Sequence, residues 1–386
     1  MTIYDQDLDA NPANFVPLSP ISMLRRAAMV YGDKSAVCYG DRALTWGEVF
    51  YRSVNVAAAL RARGIKRGDT VAIISANIPE MFEVHYAVPM AGAVLNAINI
   101  RLDAATIAFI LEHGEASMII VDKEFGPVTE QALAQMSVKP QVVHIDDATY
   151  TDGKLLGEDS YEDLVNQCPA DLDPLHALDA GDFLPGDEWD AIALNYTSGT
   201  TGNPKGATLT HRNILNNGLL VSQAMRFTHK DKLCIPVPLY HCFGMVLGNL
   251  VCLASGACAV FPGESFDPET TLRTVEEEKC TGLHGVPTMF IAELELSNFK
   301  SFDLSTLRTG VMAGSTCPEE LMRKVHSEFH MTEVVIGYGQ TECSPINHIT
   351  DIDSPFEKQV KTVGRAMPHT EVKIIDPQGN TVPIGE

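Results

Sequence analysis

Along most of the chain, short apolar runs alternate with longer stretches whose apolar residues recur three and four positions apart. In the first half, SAVCYG (35–40), TVAIIS (70–75), ASMIIVD (116–122) and PQVVHID (140–146) predict strands. Between them, ISMLRRAAMVYG (21–32), IPEMFEVHYAVPMAGAV (78–94) and LDAATIAFILEHG (102–114) predict helices, the last closed by glycine. The Ser19-Pro20 pair begins the first helix. Thr45 and Glu48 have capping-box spacing at the head of another that ends near Gly64.

From Thr151 to Asp190 the pattern lapses, and residues 171–190 hold seven acids and no base, which suits an exposed connection. Alternation then resumes with AIALNY (191–196), a glycine- and hydroxyl-rich loop, and a helix over 209–227. KLCIPVP (232–238), ACAVF (257–261), TGLHGV (281–286), LRTGVMAG (307–314) and EVVIGYG (333–339) predict further strands, with helices over 267–280 and 317–329. Strands alternating with helices predict an α/β fold of two doubly wound parallel sheets. The expected units are 1–190, ending in the acidic connection, and 191–362. The last stretch, 369–386, reads as strand, PQGN turn and strand, so 363–386 is expected to begin a small β unit.

Length supports two packed units, since 386 residues exceed the usual single core. A formal charge of -22 disfavours general affinity for nucleic acid or anionic membranes, which need a basic footprint. Nine scattered cysteines without a CxxC pair read as free thiols in a reducing, cytoplasmic setting. The acidic N-terminus has no apolar core and does not read as a signal peptide. The uncharged run 244–261 contains Asn249 and interior glycines and is followed by Pro262. It predicts a buried helix stopping near Gly256 and then a strand, not a membrane span.

The loop TSGTTGNPKG (197–206) directly follows a predicted strand. Its glycines allow positive φ and close approach of the backbone to an anion, and successive N–H groups in such a turn cradle phosphate oxygens. Thr197, Ser198, Thr200 and Thr201 add hydroxyl donors, Lys205 adds a point charge, and Pro204 stiffens the far side. Neither the Walker A nor the GxGxxG spacing is present, so the loop reads as a phosphate cradle of another kind.

With its flanks, YTSGTTGNPKG resembles the signature of the adenylate-forming (AMP-binding) superfamily, which includes acyl-CoA synthetases, luciferases and peptide-synthetase adenylation domains. Further segments are similar to that family in the order it requires: PLYHCFG (238–244), MAGSTCP (312–318), YGQTE (338–342) and VGRAMPHTEVKIID (363–376). Ala366 stands where the family commonly has proline. The resemblance covers essentially the whole chain. It implies a two-step reaction in which a carboxylate attacks the α-phosphate of ATP, giving acyl-AMP and pyrophosphate, and CoA then displaces AMP.

The resemblance also implies roles. Thr197, Ser198, Gly199, Thr200, Thr201, Gly202 and Lys205 hold phosphate. Gly314, Ser315, Tyr338, Gly339 and Gln340 line the adenine side, Thr341 bonds the α-phosphate and Glu342 binds Mg²⁺. A histidine beside aromatics is ordinarily a packed, hydrogen-bonded residue. The resemblance instead puts His241 at the wall between acyl pocket and acyl-AMP, a positioning role, with Phe243, Gly244, Met245 and Val286 as pocket neighbours. PLYHCFG lacks the aspartate with which family members bind an amino acid's ammonium, and burying that cation unpaired is costly. A simple acyl or aryl carboxylate is therefore expected, and the resemblance of residues 96–114 to short-chain CoA ligases and of 238–250, 312–318 and 338–345 to medium-chain acyl-CoA synthetases implies a short or medium chain. Alternatives are an aryl-CoA ligase, a luciferase-like enzyme or a non-catalytic nucleotide-binding module; a homodimer is left open. Residues up to Glu386 contain no counterpart of the family's YxTGD segment, hinge and lid. The expectation is the N-terminal part of a longer enzyme, its small β-barrel subdomain partial and its C-terminal lid absent, with poor turnover on its own.

Overall fold

The computed structural model describes residues 2–9, 11, 14–167, 183–197 and 202–385. Ser198, Gly199, Thr200 and Thr201, and residues 168–182 of the acidic connection, lie outside the described residues. In chain order the strands of the first half are β1 (Ser35–Tyr39), β2 (Arg42–Thr45), β3 (Thr70–Ile74), β4 (Val94–Ala97), β5 (Ala116–Asp122), β6 (Gln141–Ile145) and β7 (Asp159–Ser160). Then follow β8 (Ala191–Thr197), β9 (Lys205–Thr210), β10 (Lys232–Cys234), β11 (Cys258–Phe261), β12 (Gly282–Leu283), β13 (Thr309–Met312), β14 (Glu333–Gly339), β15 (Ile346–Ile349) and β16 (Arg365–Ala366).

They form two sheets. The first has the order β7-β6-β5-β3-β4-β8-β9 and is parallel except for β9. The second has the order β16-β15-β14-β13-β12-β10-β11-β1-β2, parallel from β14 to β1 with antiparallel strands at both ends. This is the expected α/β architecture, but the sheets cross the boundary expected at 190. β1 and β2 join the second sheet, where β1 runs parallel to β11, while β8 and β9 complete the first. The sequence could not reveal this, because periodicity fixes which face of a strand is buried but not its neighbour.

Helix starts match their local chemistry. Ser19 accepts from the Ile21 N–H, and Thr45 and Glu48 make the reciprocal capping box at the head of Trp46–Ala62. The run from 244 folds as a π-helical stretch, Phe243–Leu250, continuing as α-helix Val251–Ser255. It stops at Gly256, which takes the left-handed conformation (φ 72°) before β11. Among the described residues no helix is long and apolar enough to cross a membrane. The second sheet is covered on both faces. Leu233, Val311 and Val335 enter one apolar cluster, while their neighbours Cys234, Met312 and Val334 enter the other. The eight described cysteines are free, Cys38 and Cys258 lying with sulfurs 3.6 Å apart on neighbouring strands.

Two regions differ from expectation. The stretch after the loop was expected as helix from 209, but Lys205–Thr210 first returns as β9, and helix His211–Ala224 begins only after its Thr210 cap. The lapse at 151–190 contains β7 and the helix Tyr161–Asn166. At the chain's end the expected strand-turn-strand reduces to a tight turn closed by one bridge, Ile375 to Thr381.

Candidate functional site

The phosphate-type loop is the connection of a β-hairpin. Thr197 and Lys205 are paired across β8 and β9, so the loop's ends are fixed two strands wide. Lys205 is exposed and makes no ion pair among the described residues, which leaves its ammonium available to an anion. Gly202 has a φ of 144°, a conformation L side chains rarely adopt. Below the loop, the Asn195 side chain donates to the Tyr240 carbonyl at 3.4 Å, tying β8 to the segment 238–244.

That segment is held chiefly by Asn77, a buried residue after β3. Its Nδ2 donates to the Val237 carbonyl at 2.9 Å, and its Oδ1 accepts from the Leu239 N–H at 2.9 Å. A side-chain amide is suited to such a double contact, having donor and acceptor on one rigid plane. His241 follows, with one edge open to solvent. Its Nδ1 accepts from the Phe243 N–H at 3.1 Å, so the neutral ring carries its proton on Nε2, and desolvation lowers its pKa. Gly244 is dictated by packing, since a Cβ there would stand 2.3 Å from the Pro238 carbonyl oxygen. Phe243 and Met245 are buried at the head of the π-helical stretch, and Val286 stands beside Gly314.

The third segment is the turn after β14. Thr341 is buried close to the Cys242 thiol, whose pKa burial pushes up to about 12. Residues 341–343 also pack against β9. Gly339 cannot be replaced without movement, because a Cβ would sit 1.9 Å from the Pro345 carbonyl oxygen. Asn217, buried on helix His211–Ala224, fixes the returning strand: it donates to the Ile346 carbonyl at 2.7 Å and accepts its N–H at 3.2 Å.

Gly314, Ser315, Tyr338 and Gly339 line one cavity of about 520 Å³, with Ile336 and Val360–Val363 completing its wall. Gly314 has a φ of 89°, and Tyr338 is 53% exposed at the rim, its ring edge-on to His348 at 5.8 Å. An exposed aromatic beside glycine backbone suits a flat heterocycle. Gln340 and Glu342 are exposed beyond it, and Glu342 borders a second cavity of about 350 Å³ shared with Asn213, Asn216 and Asn217. No group of three or more metal-ligating side chains occurs among the described residues. A single open carboxylate fits Mg²⁺, which keeps waters and phosphate oxygens as its other ligands.

The structure thus brings together the hairpin that carries Lys205, the segment of His241 and the turn of Thr341 and Glu342, and groups Gly314, Ser315, Tyr338 and Gly339 around one cavity. Sequence reasoning missed Asn77, Asn195, Asn217 and His284. Each is a buried polar residue within an apolar pattern, which was the available signal.

A family model described as AMP-binding enzyme matches residues 24–386. Over 369 residues the chain is 40% identical to YngI of Bacillus subtilis (strain 168), provisionally named an acyl-CoA synthetase; the match covers 92% of this chain and 67% of that protein. It is 35% identical over 373 residues to the mitochondrial medium-chain acyl-CoA ligase ACSF2 of Danio rerio, covering 92% of this chain and 61% of that protein. The solved structure of the anthranilate CoA ligase AuaEII with anthranoyl-AMP superimposes with a TM-score of 0.86 at 25% identity, over 98% of this chain and 70% of that one. The chain spans 67% and 61% of the lengths of these two curated relatives.

Proposed function

The chain belongs to the AMP-binding enzyme family, and on that premise we propose that it serves an AMP-forming acyl-CoA synthetase acting on a short- or medium-chain carboxylic acid. The acid's carboxylate oxygen attacks the α-phosphorus of ATP, the bond to pyrophosphate breaks, and the thiol of CoA then displaces AMP from the acyl carbon. The observation that carries this reading is the meeting of hairpin, His241 segment and Thr341 turn beside a nucleotide-sized cavity.

ATP and a carboxylate bring several negative charges together, so positioning and charge compensation dominate the barrier. Lys205 and the loop 197–202 hold the β- and γ-phosphates. Thr341 donates to the α-phosphate, Tyr338 lies against the adenine, and Gly314, Ser315, Gly339 and Gln340 present backbone and side chain at its edge. Glu342 holds Mg²⁺, which when bound neutralises charge on the phosphate oxygens. His241, neutral and protonated on Nε2, offers that N–H toward the reacting carboxylate and separates it from the acyl pocket of Phe243, Gly244, Met245 and Val286. No aspartate stands in 238–244 to hold an ammonium, which favours simple acids. The scattered free thiols support a cytoplasmic setting.

ATP–pyrophosphate exchange by the whole protein with acetate, butyrate, octanoate and benzoate tests the reading. Strongest exchange with an aliphatic acid is expected. Strongest exchange with benzoate replaces it by an aryl-CoA ligase, and exchange with none leaves a nucleotide-binding module.

A further inference from the structure

His284 stands between the two sides of the candidate site. It follows β12, is completely buried, and uses both ring nitrogens. The Val311 N–H donates to Nδ1 at 3.0 Å, so the neutral ring carries its proton on Nε2, which lies 2.8 Å from the Leu247 carbonyl oxygen. Burial pushes the imidazole pKa down to about 4, which keeps this neutral form through the physiological range.

The two partners are informative. Val311 belongs to β13, the strand that runs directly into Gly314 and Ser315 at the wall of the nucleotide-sized cavity. Leu247 lies in the middle of the π-helical stretch Phe243–Leu250, whose first turn follows His241; the Met245 N–H donates to the His241 carbonyl at 3.0 Å. The Phe243 ring also lies 5.5 Å from the imidazole. A π-helical turn holds an additional residue relative to an α-turn, so its carbonyls are the groups that move if the turn rewinds. The Nε2–H bond fixes one of those carbonyls and ties it to β13.

We propose that His284 is a positioning residue that couples occupancy of the nucleotide cavity to the setting of the π-helical stretch, and through it to His241 and the acyl side. The inference rests on the function proposed above. A shift of β13 on nucleotide contact is passed through Val311, His284 and Leu247, and an acid in the acyl pocket acts along the same chain in reverse, as linkage requires.

Two near-isosteric variants cut the chain at different points. His284→Asn retains an acceptor for Val311 and loses the donor to Leu247; His284→Gln retains a donor for Leu247 and loses the acceptor for Val311. The Kd of α,β-methylene-ATP is measured with and without saturating octanoate on the 386-residue chain. Wild type is expected to change Kd by about fivefold or more on adding octanoate, within the usual range of coupling. In both variants that ratio is expected to fall to within about twofold of one, while each ligand's separate Kd stays within about threefold. Retained coupling in a folded variant overturns the proposal. So does a loss of coupling that only follows weakened binding of each ligand, which marks His284 as structural. Wild type that binds the analogue without coupling overturns this inference and leaves the proposed function standing; wild type that binds no analogue overturns both.

Discussion

At the scale of single residues, the site separates groups that hold the scaffold from groups that face a ligand. Asn77, Asn217 and His284 have their polar atoms spent on backbone partners, and Asn195 has its amide N–H so spent. Lys205 and Glu342 do not. An exposed lysine with no ion pair among the described residues contributes little to folding, and surface substitutions of this kind stay within about 0.5 kcal/mol. Lys205→Ala is therefore expected to leave the urea midpoint nearly unchanged and to weaken ATP binding about tenfold or more, as befits a lost charge-assisted phosphate contact. Isothermal titration beside a denaturation curve checks both halves. Unchanged ATP affinity removes Lys205 from the phosphate grip. The contact residues of the site were legible in the sequence because phosphate chemistry demands glycine, hydroxyl and lysine at close spacing, as in 197–206. The supporting asparagines stood out only as polar residues within apolar runs, because the distant backbone that an amide bonds leaves no mark in the local sequence.

At the scale of elements, starts and stops were legible wherever one residue decides them: Ser19, the Thr45–Glu48 box, and Gly256 after the π-helical stretch. The β9 return was not, because a six-residue strand entered from a glycine loop carries no pattern distinct from the helix that follows. The join between elements also has its own chemistry. The Ser19 hydroxyl accepts from Ile21 N–H and is hydrogen-bonded to His211 Nδ1 at 2.9 Å, linking the helix starts Pro20 and His211. Burial pushes His211 down to about 4, against the opposing charge of Asp190. A histidine depressed in the folded state binds fewer protons there than when unfolded, so its contribution is present above its unfolded value near 6.5 and is lost as pH falls toward 4. The stability difference between wild type and His211→Asn, which keeps a hydrogen-bond partner for Ser19, is thus expected to be largest at pH 7. It should shrink by about 2 kcal/mol at pH 5. Urea unfolding of both proteins at the two pH values reads this; a difference that stays constant means that His211 titrates normally in the fold.

At the scale of the whole molecule, the two sheets are interleaved in sequence, and this governs how the chain folds. Composition and alternation gave the α/β class and two sheets. They could not give the exchange of β1 and β2 for β8 and β9, because that choice is made by long-range contacts. β1 takes its parallel partner from β11, more than two hundred residues away, and β4 takes its neighbour from β8. One apolar cluster draws Ile73 and Ile119 of the first sheet together with Leu233, Phe261 and Val335 of the second. A chain cut at 190 would leave β1 with one edge unpaired, β4 without β8, and the shared cluster open to water. Exposed edges and apolar faces of that extent favour association over independent folding. The whole chain is therefore expected to unfold in urea with coincident fluorescence and circular-dichroism transitions, as a single cooperative unit does. The fragment 1–190, expressed alone, is expected to lack a cooperative transition and to aggregate. A soluble 1–190 fragment with its own sharp transition would show that the first sheet and its helices hold a core without β8 and β11, and the interleaving would then be a docking of two stable units.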